Sequence, residues 1–357
     1  EDVSYGFAWA HDSQTCWYTT IDDAERPHEV WRHLVGTNPT TDERVFSEAD
    51  ERFHVTVGSS RSGDVAVISA GSAVTDESWL LDAHNPSAPP QVVMARSQGI
   101  EYSVAHRPGE LFITSNRDAE DFAVWRAALN GLEIAPEHQW DLVIEHCQGR
   151  RINGVETFAN HVIVHGRANG STALWVLDPA AKTLEQFPMD DEVGTLSPSS
   201  NPSFDATEYR FAYESLATPP SLIEQNIATG ERTVLKVLPV LGDFDPSSYR
   251  TARQWATASD GTRIPISLVW SPERQQQPGP NPCLLYGYGA YEVSMDPWFS
   301  ITRLSLLDRG FTFAIAHVRG GGELGRAWYE NGKFGFKKNS FSDFVACAQH
   351  LSDQGIT

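Results

Sequence analysis

A strand signature that returns at intervals close to 48 residues constrains this chain more than any other feature. The segments VWRHLVG, SWLLDAHN, VWRAALNG, LWVLDPAAK and LIEQNIATG set Trp31, Trp79, Trp125, Trp175 and Ile223 in step, at successive intervals of 48, 46, 50 and 48 residues. Each segment runs into turn residues (Gly36, Asn85-Pro86, Asn130-Gly131, Asp178-Pro179, Gly230). Most follow an alternating strand such as TCWYTT, VAVISA, ELFITS, HVIVHG or YRFAYE. A unit of this length with several short strands cannot bury a face alone, and stacking its neighbours as β-propeller blades supplies the missing partner. The pattern predicts about five blades, with each tryptophan packed between blades rather than serving as a ligand platform.

From Tyr249 the pattern changes. Arg253–Ser259 and Ile264–Trp270 are β-rich runs joined through Asp260-Gly261, a hairpin signal. Cys283–Tyr286 and Phe311–Val318 are short apolar runs between breakers, and Phe299–Arg309 places Ile301, Leu304 and Leu307 near helical spacing ahead of Gly310. Strand, loop, helix, strand is a βαβ unit, which requires parallel pairing and implies an α/β sheet. Pro272–Pro282, rich in glutamine and proline, is expected as an exposed loop. The run SFSDFVACAQHLSDQG has capping-box spacing from Ser340 to Asp343, with Phe341, Phe344, Val345, Ala348 and Leu351 predicted on one buried face. The segment GDFDPSS separates the two patterns, so residues 1–245 are expected as propeller and 246–357 as the N-terminal part of an α/β domain.

In an open parallel sheet the working groups collect at the carboxyl ends of the strands, where Gly287-Tyr288-Gly289 follows the run Cys283–Tyr286. Flanking glycines allow a sharp turn that aims one large side chain, and a tyrosine hydroxyl there can serve as an oxyanion donor. On local chemistry alone a packed loop aromatic is the competing account. Gly320–Gly325 satisfies G-x-G-x-x-G, but the following WYENGKFGFK carries two further glycines and is expected to delay the helix to about Ser340, so no dinucleotide site is expected. No G-x-S-x-G nucleophile elbow occurs; Gly58-Ser59-Ser60-Arg61-Ser62 fails at its last position.

Forty-seven acidic against 27 basic residues give a net charge of −20, which argues against nucleic acid and suits cationic partners. No apolar run reaches the ~18 residues of a membrane span. Cys16, Cys147, Cys283 and Cys347 are scattered without a C-x-x-C pair, which points to reduced thiols in a cytoplasmic setting rather than disulfides or zinc. No H-E-x-x-H or EF-hand pattern occurs, so neither metal nor cofactor is implied.

The wording LLYGYGAY, RLSLLDRGF, AHVRGGGELG, WYENGKF and KKNSFSDF resembles the start of the peptidase domain of the prolyl oligopeptidase family, in its oligopeptidase B branch. The resemblance continues through RPHEVWRH, DERFHVTVGSSRSG, Ala217–Lys236 and Tyr249–Trp270, and so covers nearly the whole chain in order. It implies five of seven propeller blades followed by part of an α/β-hydrolase domain, as an internal fragment that ends before the nucleophile. It implies a serine oligopeptidase cleaving short peptides after Arg or Lys, with the catalytic Ser, Asp and His beyond Thr357 and Tyr288 as oxyanion donor. A D-x-D pattern that helps bind a second basic residue is matched at Asp296, while its second aspartate is replaced by Trp298, which leaves paired-basic preference open. A non-catalytic propeller binding module, and a prolyl or dipeptidyl relative of different specificity, are the alternatives. The resemblance also implies that His317 is a structural strand residue, that Arg319 and Glu323 make structural or hinge contacts, and that a blade edge is left unpaired.

Overall fold

The computed structural model describes residues 2–275 and 279–357. Gln276, Gln277 and Pro278 of the expected Pro272–Pro282 loop lie outside the described residues. Five blades of antiparallel strands form the first part. The first comprises Val3–Trp9, Thr15–Ile21, Pro27–Leu34 and Glu43–Ser47, and the second His54–Ser59, Val65–Gly71, Asp76–Asp82 and Gln91–Met94. The third is built on Tyr102–Arg107, Glu110–Ser115, Ala123–Asn130 and Asp141–Ile144, the fourth on Arg150–Thr157, Val162–Ala168, Ser171–Asp178 and Thr183–Gln186. Gly194–Pro198, Glu208–Ser215, Ser221–Asn226 and Arg232–Val237 make the fifth. All five alternating strands named from sequence are second strands, and all five in-step segments are third strands.

Strand alternation sends neighbouring residues to opposite interblade cores. Leu81 packs with Trp17, Val30 and Val57 between blades one and two, whereas Leu80 packs with Leu111 and Ile113 between two and three. Phe112, Val162 and Val164 join blades three and four, and Ile163 and Leu174 join four and five. Each such fully buried side chain contributes on the order of 1.5–3 kcal/mol. The tryptophans depart from expectation. Trp175 and Ile223 are core and Trp79 packs partly on it, but Trp31 and Trp125 sit half-buried outside the clusters. Trp31 turns its indole N–H to Glu29 Oε2 at 3.0 Å, so the ring's polar handle keeps it at the margin.

The expected unpaired edge also takes another form. The first strand of blade one is bridged in parallel to blade two through Phe7 and Gly58, and what lies open is its face, where Val3, Tyr5, Phe7 and Trp9 are all exposed. Among the described residues no apolar cluster joins blade five to blade one.

After blade five comes a four-stranded mixed sheet. Its elements are β1 (Arg250–Thr257), β2 (Arg263–Trp270), β3 (Cys283–Tyr286), α1 (Ile301–Leu307), β4 (Thr312–Ala316), α2 (Arg326–Glu330) and α3 (Lys338–Asp353). The order is β1-β2-β4-β3, with β3 and β4 parallel as a βαβ unit demands. One face carries Ile264, Ile266, Leu268, Ala314 and Ala316 under Cys347 and Leu351 of α3. The other carries Val269, Phe313 and Ile315 under Leu304 and Leu307 of α1, together with Val193 and Leu216 from the propeller side. The two parts therefore share a hydrophobic core. No helix among the described residues is long and apolar enough to cross a membrane.

Three local expectations need correction. The helix α1 is shorter than Phe299–Arg309, and Ile301 is 53% exposed while Arg303 is buried, because the Arg303 guanidinium stacks on Phe313 with its centre 4.0 Å from the ring. Ser340 does not cap α3: the helix starts two residues earlier, and Ser340 and Asp343 both face inward to serve Arg319. That inward polar pair rotates the helix so that Phe341 and Val345 are 67% and 66% exposed, and the buried line is Ser340, Asp343, Cys347 and Leu351. Finally, α2 opens directly after Gly325 rather than being delayed to Ser340.

Candidate active site

The loop leaving β3 passes beside the chain leaving β4, and a single side of α3 supports both. Gly287 lies beneath Phe344: a Cβ there would sit 3.0 Å from the Phe344 ring and 3.2 Å from the Ala316 carbonyl oxygen. Gly289 has φ +66° and no room for a Cβ, which would fall 2.5 Å from Val318 Cγ2 and 2.9 Å from Arg319 O. Gly289 is therefore required by both close approach and backbone conformation, while Gly287 is tightly packed against Phe344 and the Ala316 carbonyl. Between them the Tyr288 side chain stands 46% exposed at the carboxyl end of β3. Tyr291 and Glu292 also hold left-handed φ values of 55° and 61°, which bends the loop away from the sheet.

Polar residues fasten this framework. Arg319, 6% exposed, donates from Nε and Nη2 to the two oxygens of the fully buried Asp343 at 2.8 and 2.6 Å, and from Nη1 to Asp260 at 2.7 Å. The Arg319 backbone N–H adds a bond to Asp343 Oδ2 at 3.0 Å. These carboxylates, Asp343 foremost, raise the guanidinium's pKa and keep it charged. Glu323 accepts the Met295 N–H at 2.9 Å, tying the two loops together.

His317 lies in a line that imitates hydrolytic chemistry. Its Nε2 is 2.6 Å from Ser267 Oγ and its Nδ1 is 3.6 Å from Glu323 Oε1. Burial rules out a catalytic use, since Ser267, His317 and Glu323 are 0%, 1% and 2% exposed and no substrate carbonyl can reach the hydroxyl. Burial, above all, lowers the His317 pKa, with the nearby Glu323 carboxylate opposing.

The remaining expected site residues are already engaged. Asp296 is gripped by Arg167 of blade four, with contacts of 2.6 and 3.1 Å, and Arg167 Nε also donates to the Glu323 carbonyl at 3.3 Å. Trp298 packs edge-on against Tyr286, with ring centres 6.1 Å apart, and has the Arg303 guanidinium 5.4 Å from its ring. A ring face that could have held a substrate cation thus already faces one.

Sequence reasoning missed a second set of residues that binds this loop to the propeller. Glu292 meets Arg151 of blade four at 2.7 Å and Arg326 at 2.8 Å. The first N–H of α2, on Arg326, donates to Asp121 of blade three at 2.7 Å, and a Cβ on Gly325 would strike that carboxylate at 2.4 Å. The Gly320–Gly325 run therefore offers its following helix N-terminus to a propeller carboxylate. Glu214 of blade five accepts the Phe299 N–H at 2.8 Å. The propeller partners lie 85 to 205 positions away in sequence, and no local pattern signals them.

Comparison with known proteins agrees with this architecture. Residues 1–238 match the model of the prolyl oligopeptidase N-terminal β-propeller domain, and residues 297–357 match that of the prolyl oligopeptidase family. The chain is 37% identical to Protease 2 of Moraxella lacunata over 98% of its own length and 49% of that protein's. It is 35% identical to dipeptidyl aminopeptidase BI of Pseudoxanthomonas mexicana, covering 97% of this chain and 47% of that protein. The structure superposes on oligopeptidase B from Leishmania major with a TM-score of 0.88 at 32% identity, covering all of this chain and 51% of that one. The closed form of oligopeptidase B from Trypanosoma brucei, with antipain covalently bound, gives 0.87 at 34% identity, again over all of this chain and 51% of that one. The chain thus spans about half the length of the relatives it matches. With the five-bladed array, the βαβ start of the second sheet and the glycine-flanked tyrosine on one chain, these matches place it in the prolyl oligopeptidase family.

Proposed function

We propose that the protein to which this chain belongs is a serine oligopeptidase that cleaves short peptides after Arg or Lys, and that Tyr288 donates its hydroxyl to the oxyanion. Residues 1–245 form its propeller unit and 246–357 the first part of its peptidase unit. A serine in the remainder of the peptidase domain attacks the scissile carbonyl, a histidine takes its proton, and an aspartate orients the histidine. Negative charge then develops on the carbonyl oxygen, and a fixed donor there stabilises the transition state more than the ground state. The observation that carries this reading is the mounting of Tyr288: an exposed side chain at a strand's carboxyl end, between the tightly packed Gly287 and Gly289, which tolerates no side chain. A net charge of −20 favours cationic peptides by steering. Four free thiols fit a reducing, cytoplasmic setting.

Asp296 and Trp298 remain the candidates for a second basic side chain, on one condition. Because Arg167 fills the Asp296 carboxylate and Arg303 faces the Trp298 ring, an incoming cation binds there only by exchange with those guanidinium groups. The resemblance to a dipeptidyl aminopeptidase supports a second reading of the specificity, cleavage of dipeptides from the amino end.

The test is hydrolysis by the full-length protein of matched peptides bearing Arg, Lys, Pro or Ala before the cleaved bond, with blocked and free amino ends. Cleavage confined to Arg and Lys in blocked peptides supports the proposal, and a requirement for a free amino end two residues away overturns it. Tyr288→Phe should lower kcat by about 100- to 1,000-fold with KM nearly unchanged. Equal activity removes Tyr288 from the mechanism.

A further inference from the structure

The Gly289 carbonyl is held by a cluster that has no part in the sheet. Lys337, the residue before α3, donates from Nζ to the Gly289 carbonyl oxygen. The same ammonium lies 3.2 Å from Ser340 Oγ, whose single proton goes to the Arg319 carbonyl at 2.5 Å. Ser340 Oγ thus accepts from Lys337 while donating to Arg319, and it sits 3.3 Å from the Gly289 oxygen. Gly320 closes the other side, since a Cβ on it would fall 2.1 Å from that oxygen.

We infer that Lys337, seated by Ser340, is the positioning residue that aims Tyr288 at the oxyanion, an inference that rests on the role proposed for Tyr288. Glycine has the widest backbone freedom of any residue, so Gly289 would leave φ +66° once its carbonyl were released, and that movement swings the adjoining Tyr288 side chain. Gly287 cannot compensate, because it is pinned beneath Phe344 of the same helix. One helix therefore fixes the backbone on both sides of Tyr288, and Lys337 supplies the only charged bond to it among the described residues. A displacement of about 1 Å at a reacting group is enough to cost on the order of 100-fold in rate. Lys337 touches neither substrate nor reacting atoms. Its effect must pass entirely through Tyr288, and that sets it apart from a residue that merely stabilises the fold.

The experiment is a double-mutant cycle in the full-length enzyme with Lys337→Met, which keeps the apolar stem, and Tyr288→Phe. The readouts are kcat, KM, and the inhibition constant of a peptide aldehyde, whose serine adduct carries the oxyanion. Lys337→Met should lower kcat about 10- to 100-fold, weaken the aldehyde in proportion, leave KM within about twofold, and have no further effect in the Tyr288→Phe background. Lys337→Arg should restore most of the activity. Ser340→Ala, which leaves the ammonium in place, should give a smaller loss of the same kind and serves if Lys337→Met fails to fold. Equal fold-losses in both backgrounds, or full activity in Lys337→Met beside a strong Tyr288→Phe defect, overturn the inference alone. A silent Tyr288→Phe overturns the functional reading and this inference with it.

Discussion

Replacing Arg319 by Met tests whether the buried ion pair holds the site framework. The guanidinium is 6% exposed, its partner Asp343 is fully buried, and two charge-assisted contacts at 2.6 and 2.8 Å join them. Methionine fills the apolar part of the space and strands the Asp343 carboxylate in an interior lined by Cys347 and Leu351, with one backbone N–H as its remaining strong donor. Breaking such a pair from one side costs about 3–5 kcal/mol, most of it the penalty of the unpaired charge. Asp343→Asn is milder, at about 1–3 kcal/mol: the amide oxygen still accepts the Arg319 N–H, and Arg319 retains Asp260, which is 47% exposed. The double variant removes both charges and should cost about 2 kcal/mol less than the sum of the singles. Urea denaturation of all four proteins, with the slope checked for constancy, measures the cycle. If the single costs add to within about 0.5 kcal/mol, the two residues do not act as a pair and the account of α3 given above is wrong.

Two further outcomes follow from other contacts. Arg167→Gln releases the Asp296 carboxylate and should raise the full-length enzyme's preference for a dibasic over a monobasic peptide by about two- to fivefold in kcat/KM; an unchanged ratio removes Asp296 from specificity. Asp76, between blades two and three, has its pKa pushed up to about 6, chiefly by burial, from a usual 3.8. Its stabilising contribution is complete below about pH 4 and is lost as pH rises through about 6, because only the native state resists ionisation. Asp76→Asn should therefore raise stability at pH 8 by on the order of 1 kcal/mol, discounted for partial solvent access, and leave it unchanged at pH 3.5, as thermal melts at the two values will show.

The blades were legible because their signal is local and repeated: alternation places second strands, turn residues close third strands, and both recur at one period. The tryptophans misled for the same reason. They keep time with the repeat, but the period fixes strand position and not depth, and Val30 and Val124 beside them are the buried residues. In α3 the apolar face was misassigned because periodicity counts Phe341 and Val345 as core while blind to Arg319, whose guanidinium turns Asp343 inward and whose backbone carbonyl takes the Ser340 hydroxyl. Tyr288 could be singled out since its two glycines sit beside it. Lys337, Glu292 and Arg151 could not, since what makes them part of the site is a partner tens to hundreds of positions away.

The loop from Gly287 to Phe299 is attached in two different ways, and the difference bears on how the two units cooperate. Its first part is fixed within the peptidase unit, through Phe344, Lys337 and Val318. Its later part is held by the propeller as well, Glu292 to Arg151, Asp296 to Arg167 and Phe299 to Glu214, beside the contacts of Glu292 to Arg326 and of Met295 to Glu323 within the peptidase unit. The chain bends from the first part into the second at Tyr291 and Glu292, which hold positive φ. If the units separate, the Glu292–Arg151 and Asp296–Arg167 pairs break, while the Glu292–Arg326 pair and the anchors at Gly287 and Gly289 remain. The geometry therefore isolates the proposed oxyanion donor from domain motion and exposes the proposed basic subsite to it. Closure of the units would then alter which peptide is held rather than whether the carbonyl is activated, and the effect of Arg167→Gln should accordingly fall on KM while that of Lys337→Met falls on kcat.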